Sequence, residues 1–148
     1  MSDRERERVT EVAEWTKPLP APDNVSAHYW AAAARGELHV QECPDCGARQ
    51  FYGRALCTSC GGTPVWITTA GRGVVHTFTI IRQFGVPPFR DELPYVVAMV
   101  ELDEGPRLMG NVTDCAVEDV SIGMPVEVHF RKVDDEIAIP YWRPVPGS

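Results

Sequence analysis

Two pairs of cysteines carry the chemistry that can be read most directly from this chain. Cys43-Pro44-Asp45-Cys46-Gly47 is answered by Cys57-Thr58-Ser59-Cys60-Gly61. A thiolate pair that grips one metal ion needs a tight turn, so that both sulfurs face the same point. Glycine after the second cysteine of each pair tolerates positive φ, which lets the backbone curl and aim its N–H groups at sulfur. Four sulfur donors suit a closed, tetrahedral, structural Zn²⁺ site. The competing readings are two disulfides, chance cysteines and a redox Cys-x-x-Cys. The last comes singly beside a βαβ pattern, and no such pattern is visible. Iron in a rubredoxin-like site stays open, because softness and geometry alone do not separate it from zinc.

A four-thiolate zinc has no open position for water, so it does not run hydrolysis. The other reactive residue types are dispersed. His28, His39, His76 and His129 stand far apart in sequence, and none adjoins a Ser or Cys in a nucleophile pattern. His76 and His129 fall in predicted strands, where a hydrogen-bonded cross-strand histidine is the common case. Cys115 has no cationic sequence neighbour to lower its pKa and reads as a small buried hydrophobe. The acidic pairs Asp91-Glu92, Asp103-Glu104 and Asp134-Asp135 sit in turns, as solvated charges do. Neither a phosphate-cradling glycine loop nor a dinucleotide fingerprint is present. No catalytic constellation emerges.

The elements that must position the cysteines follow from pattern. Residues 1–22 combine alternating Arg and Glu with a proline ladder, a composition that buries little and favours an extended arm. Within it, Trp15 either packs back on the body or anchors a partner. Asp23, Asn24 and Ser26 offer N-cap oxygens, Ala31 to Ala34 favour helix, and Gly36 is a natural stop, which predicts a helix over about residues 25–35. Leu38–Gln41 and Arg49–Tyr52 read as short strands leading into the two knuckles. A module of about 25 residues cannot fold on apolar burial alone, so metal binding there is folding energy. After Gly62 the chain turns β-rich. Segments 64–68, 74–82, 95–102, 107–113, 126–132 and 136–142 alternate, with Gly-rich breaks between them, and predict a small antiparallel barrel. A five-stranded OB-fold is the simplest form, with Gly71 and Gly73 at a barrel corner; an SH3-like barrel gives similar signals. The expected class is mainly β: arm and helix over 1–37, zinc ribbon over 38–63, barrel over 64–142 and a tail over 143–148.

Two further segments stand apart from a plain barrel. Residues 82–94 (RQFGVPPFRDELP) form a long, proline-rich insertion of the kind that is often functional. Phe84 and Phe89 there offer flat faces to a ring or acyl chain, or else cap the barrel mouth. The last segment, from Ile139, holds Tyr141 and Trp142, which close the barrel base or meet a partner. An OB-like barrel raises single-stranded nucleic acid as a ligand. The net charge of −7, with 14 Lys and Arg in all and several of these in the arm, argues against it. No apolar run approaches the ~20 residues of a membrane span. The charged N-terminus and the retained thiols place the chain in a reducing cytoplasm.

The order of aromatic helix, Gly36-Glu37-Leu38, two knuckles and Gly71-Arg72-Gly73 resembles the domain-of-unknown-function 35 family. So do Pro94–Leu102, Glu104–Leu108 and Ile122–Val126, and the likeness spans about residues 25–142. The resemblance implies a rubredoxin-like zinc ribbon on an OB-fold, associated with acyl-CoA, in a non-catalytic subunit of thiolase-superfamily enzymes. Among these are sterol-carrier-protein-type thiolase-like aldolases, which cleave a steroid side-chain CoA thioester and release propionyl-CoA. Some relatives are fused to a hydratase-like domain. Carried over, it makes Cys43, Cys46, Cys57 and Cys60 metal ligands and predicts a thiolase-like partner in a heterotetramer with two copies of each chain. Acyl-CoA would be a ligand rather than a cofactor. Arg72, Arg82 and Arg90 are then candidates for its phosphates, and Phe84 and Phe89 for its pantetheine, adenine or acyl parts. Trp15, Tyr29, Trp30, Tyr141 and Trp142 are candidates for the partner interface. A stand-alone acyl-CoA binder and an OB-type nucleic-acid binder are the alternatives. Replacing Cys43 with Ser is expected to release the metal and unfold the ribbon; a variant that kept its zinc and its cooperative melt would rule out the four-thiolate site.

Overall fold

The computed structural model describes residues 7–83 and 85–147. Phe84 therefore lies outside the described residues. In chain order the elements are β1 (Val9–Glu11), α1 (Ala27–Ala34), β2 (His39–Glu42), β3 (Arg49–Gln50), β4 (Val65–Thr68), β5 (Arg72–Ile81), β6 (Tyr95–Leu102), β7 (Arg107–Val112), β8 (Pro125–Lys132) and β9 (Ala138–Pro144).

Alternation makes the barrel. Along β6 every second residue is buried, so Val96, Ala98, Val100 and Leu102 face inward. Val75, Val126, Val128, Phe130 and Trp142 meet them from the other strands. Each of the buried Val, Leu and Phe side chains contributes about 1.5–3 kcal/mol on leaving water. Strands β5, β6 and β7 form an antiparallel meander. β7 touches β9 in parallel at Val112 and Trp142, β9 pairs antiparallel with β8, and β8 returns to β5. Five strands thus close into an OB-fold barrel. β5 serves two neighbours because its register shifts between Val75 and Thr77, a bulge that bends it around the corner.

The corner glycines act as expected. Gly71 has φ +70, and a Cβ at Gly73 would overlap the backbone carbonyl of Glu101.

Two expectations change. β4 does not join the barrel. It pairs with β2 in a three-stranded ribbon sheet ordered β3-β2-β4, so ribbon pairing runs to Thr68, past residue 63. The pattern of Val65–Thr68 suits either sheet, and the partner is chosen by the free edge of β2. The arm, read as burying little, adds a strand: β1 pairs in parallel with β8, opposite Phe130 to Lys132. β8 pairs with β5 only as far as Glu127, and its later N–H groups need acceptors. The Arg8 carbonyl accepts from the Phe130 amide, while the Val12 amide donates to the Lys132 carbonyl.

α1 covers the junction. Asp23 Oδ1 accepts hydrogen bonds from the amides of Val25 and Ser26 at 3.0 and 2.7 Å, fixing the turn that starts the helix. Ala32 and Ala33 are fully buried, which lets the helix lie close to β2, β8 and β9. Gly73→Ala is expected to cost about 1–3 kcal/mol by overpacking against β6, read as a lower urea midpoint.

Candidate metal centre and aromatic cavity

The four cysteine sulfurs lie within 4.8 Å of one another. Cys43 Sγ is 3.5 Å from Cys60 Sγ, and Cys46 Sγ is 3.6 Å from Cys57 Sγ. All four are free thiols. Four sulfurs about 2.3 Å from one ion would sit roughly 3.8 Å apart, so this spacing fits a tetrahedral site. The knuckles are built for it. The Gly47 amide donates to the Cys43 carbonyl and the Gly61 amide to the Cys57 carbonyl, with φ of +75 and +78 at the glycines. The amides of Ser59 and Gly62 point at Cys57 Sγ and Cys60 Sγ, each at 3.4 Å. The amides of Cys60 and Ser59 pull the Cys57 thiol down to about 6, whereas, against the Gly62 amide, the Cys43 and Cys46 sulfurs push Cys60 up to about 12. A Cβ on Gly62 would lie 3.3 Å from the sulfurs of both Cys43 and Cys60, so the backbone presses directly on the cluster. The donor set suits structural zinc.

Two glutamines tie the knuckles together, and the sequence reading missed them. Gln50 Nε2 donates to Gln41 Oε1 at 2.7 Å, and Gln50 Oε1 accepts from the Thr58 amide at 3.0 Å. Gln41 also brackets Arg54, accepting from its amide and donating to its carbonyl. Both side chains are buried between β2 and β3, where Gln41 and Gln50 are register partners. Two glutamines flanking the first knuckle were the available signal.

The histidines are structural. His39 is buried, with Nδ1 2.9 Å from His28 Nε2 and Nε2 3.1 Å from Thr68 Oγ1. Burial pushes its pKa down, against the pull of Glu37. His28 stacks on Trp66 with ring centres 5.1 Å apart. His129 is buried, 2.8 Å from Thr113 Oγ1, and burial lowers its pKa to about 4 despite Asp114 at 3.4 Å.

An aromatic cavity of about 350 Å³ opens where α1, the ribbon and the barrel meet. Tyr29 and Trp30 enter it from the helix, Phe51, Tyr52 and Trp66 from the ribbon, and Trp142 from β9. Phe51 lies against Tyr29, with ring centres 5.2 Å apart.

The other predicted residues disperse. Tyr29, Tyr141 and Trp142 are buried in the folded chain, at 7%, 5% and 1% exposure, so their rings are core and are not free to form an outer interface. Aromatic bulk in a short terminal strand signals burial as readily as exposure, and only packing decides which. Trp30 is half-buried on the cavity wall. Trp15 is also half-buried and folds back on the body, with Lys17 Nζ 4.9 Å from its ring centre. Lys17 in turn pairs with Glu92 at 2.6 Å and lies 5.6 Å from the Phe89 ring, so the arm straps the 82–94 loop. Arg82 is exposed and 3.6 Å from Glu118, while Arg90 donates to the Gly85 carbonyl at 3.0 Å. Arg72 starts β5 and Arg82 follows its end.

Comparison with known proteins agrees with this architecture. The rubredoxin-like zinc ribbon domain of ChsH2 matches residues 30–65, and the C-terminal OB-fold domain of ChsH2 matches residues 66–131. The chain belongs to this family, the DUF35 proteins. A solved structure described as the Ltp2-ChsH2(DUF35) aldolase superposes with a TM-score of 0.77 at 34% identity, covering 85% of this chain and 98% of that one. A DUF35 domain-containing scaffold protein of Methanocaldococcus jannaschii is 38% identical over 98 residues, 64% of this chain and 67% of the relative. A probable enoyl-CoA hydratase alpha subunit of Thermomonospora curvata is 35% identical over 130 residues, 86% of this chain. The chain spans only 40% of that subunit's length.

The buried histidine gives a pH dependence. An unfolded chain takes up this proton near pH 6.5, the folded chain only near 4, so protons favour unfolding across that window. Stability from His129 is complete above about pH 6.5 and is lost as the pH falls toward 4. Between pH 7 and pH 5 the loss is about 2 kcal/mol, and His129→Gln is expected to remove that part of the slope in urea unfolding.

Proposed function

We propose that this chain is a non-catalytic accessory subunit of an enzyme acting on acyl-CoA thioesters. The observation that carries this reading is the likeness to the DUF35 chain of an aldolase, at 34% identity over nearly the whole of that chain. The name of the archaeal relative, a scaffold protein, points the same way. The chemistry of the chain supports it as well. Among the described residues no nucleophile meets a base. His39 and His129 are committed to hydrogen bonds in the interior, and burial, followed by Asp119 and Asp114, pushes the Cys115 thiol up.

The partner in this reading is a thiolase-superfamily subunit, in an assembly with two copies of each chain. The reaction is retro-aldol cleavage of a CoA thioester with a steroid side chain, and the present chain helps to form or gate the acyl-CoA site. Docking draws on exposed apolar side chains of the ribbon segment: Leu56 and Val65 are 57% and 48% exposed. A stand-alone acyl-CoA binder is the second reading, favoured by the preformed cavity.

Mass spectrometry of what co-purifies with the tagged chain from its own host separates the two. The expected result is a stoichiometric thiolase-like subunit whose aldol cleavage activity drops at least about tenfold without this chain. A chain that elutes alone and leaves the enzyme's activity unchanged would sink the subunit reading.

A further inference from the structure

The cavity between α1, the ribbon and the barrel has features of a specific binding site. Its walls carry six aromatic rings and no Lys, Arg, Asp, Glu or His. A ligand's phosphate or carboxylate placed there would lose its hydration with no counter-charge in return, a cost that excludes it. The polar groups are few and uncharged. Asn111 Nδ2 donates to the Val96 carbonyl at 2.9 Å, which fixes the amide plane and leaves Oδ1 as an acceptor. Trp142 is 1% exposed, and its indole edge lies beside Gly110.

Two glycines shape the space. A Cβ on Gly53 would press on the Trp66 ring at 2.6 Å, and one on Gly110 would meet the Trp142 indole at 3.0 Å. Any side chain at either point would shift a wall. At the rim, Tyr52 and Met109 are 59% and 60% exposed, which gives an apolar mouth. The volume, about 350 Å³, lies at the lower end of small-molecule sites. That space suits one compact ring system and is too small for a whole CoA thioester.

We infer that this cavity binds an uncharged, largely apolar ring system. The identification of that ring system as the acyl body of the thioester rests on the function proposed above; the cavity's preference for a neutral ring does not. The CoA moiety, with its phosphates, lies outside. The alternative occupant, an apolar side chain of the partner, would leave the isolated chain without affinity for small molecules.

Three of the four tryptophans (Trp30, Trp66 and Trp142) line the cavity, so intrinsic fluorescence of the zinc-loaded full chain reports on occupancy. Progesterone, a neutral tetracyclic ketone, is the probe, and coenzyme A is the charged control. Saturable quenching by progesterone and none by coenzyme A is the expected result. Met109→Glu, which puts a carboxylate at the exposed rim, should weaken binding about tenfold or more while leaving the melting temperature nearly unchanged. Gly110→Val should abolish it, and Tyr52→Ala, at an exposed position that tolerates truncation, should weaken it severalfold if Gly110→Val fails to fold. Absence of saturable quenching in the folded wild type overturns the inference, as does quenching indifferent to both rim substitutions. A chain that recruits its enzyme but ignores the ketone refutes the cavity ligand alone; one that binds the ketone but recruits nothing refutes the subunit reading alone.

Discussion

The ribbon depends on four sulfurs held around one point. The ribbon has three short strands, the longest of four residues, and cannot bury enough apolar surface to fold by itself. Sulfur–metal bonds supply what burial does not, and amides aimed at the sulfurs offset the charge of the thiolates. The glutamine pair extends that order from the metal into β2 and β3. Because Cys43 directly follows β2, and β2 pairs with β4, the metal also sets the place of Trp66.

The barrel supplies the other rigid body. It closes through a single parallel contact between β7 and β9, and near that seam the strands leave room for the Trp142 ring beside Gly110. α1 bridges the two bodies, with its alanines against strands and its aromatics turned toward the gap. The cavity is a consequence of joining them, since none of the three parts contains it alone. Preorganised walls of this kind cost little entropy on binding, because the rings are already held by one another.

The polar interior is spent on structure. Buried histidines, glutamines and threonines satisfy one another, and Arg35, Arg49, Arg82, Arg107 and Arg143 pair with carboxylates. Among the described residues no nucleophile is set against a base. In the accessory-subunit role proposed above, the chain would act through shape and apolar contact.

The metal ligands, the helix, the barrel strands and the corner glycines were legible in the sequence because each rests on local spacing. Cys-x-x-Cys-Gly forces its own turn, alternation assigns strand faces, and Gly73 marks a close approach that any Cβ would block. The partners of β1 and β4 were not legible, since a short strand carries no record of which free edge it will find. Nor was the fate of the aromatics. Tyr29, Tyr141 and Trp142 look alike in sequence whether they face a partner or a core, and only the packing of helix, ribbon and barrel turned them inward. The sequence by itself determined the elements and the metal chemistry, which are short-range. The cavity and the true surface depend on contacts between distant segments, and those the tertiary structure decided.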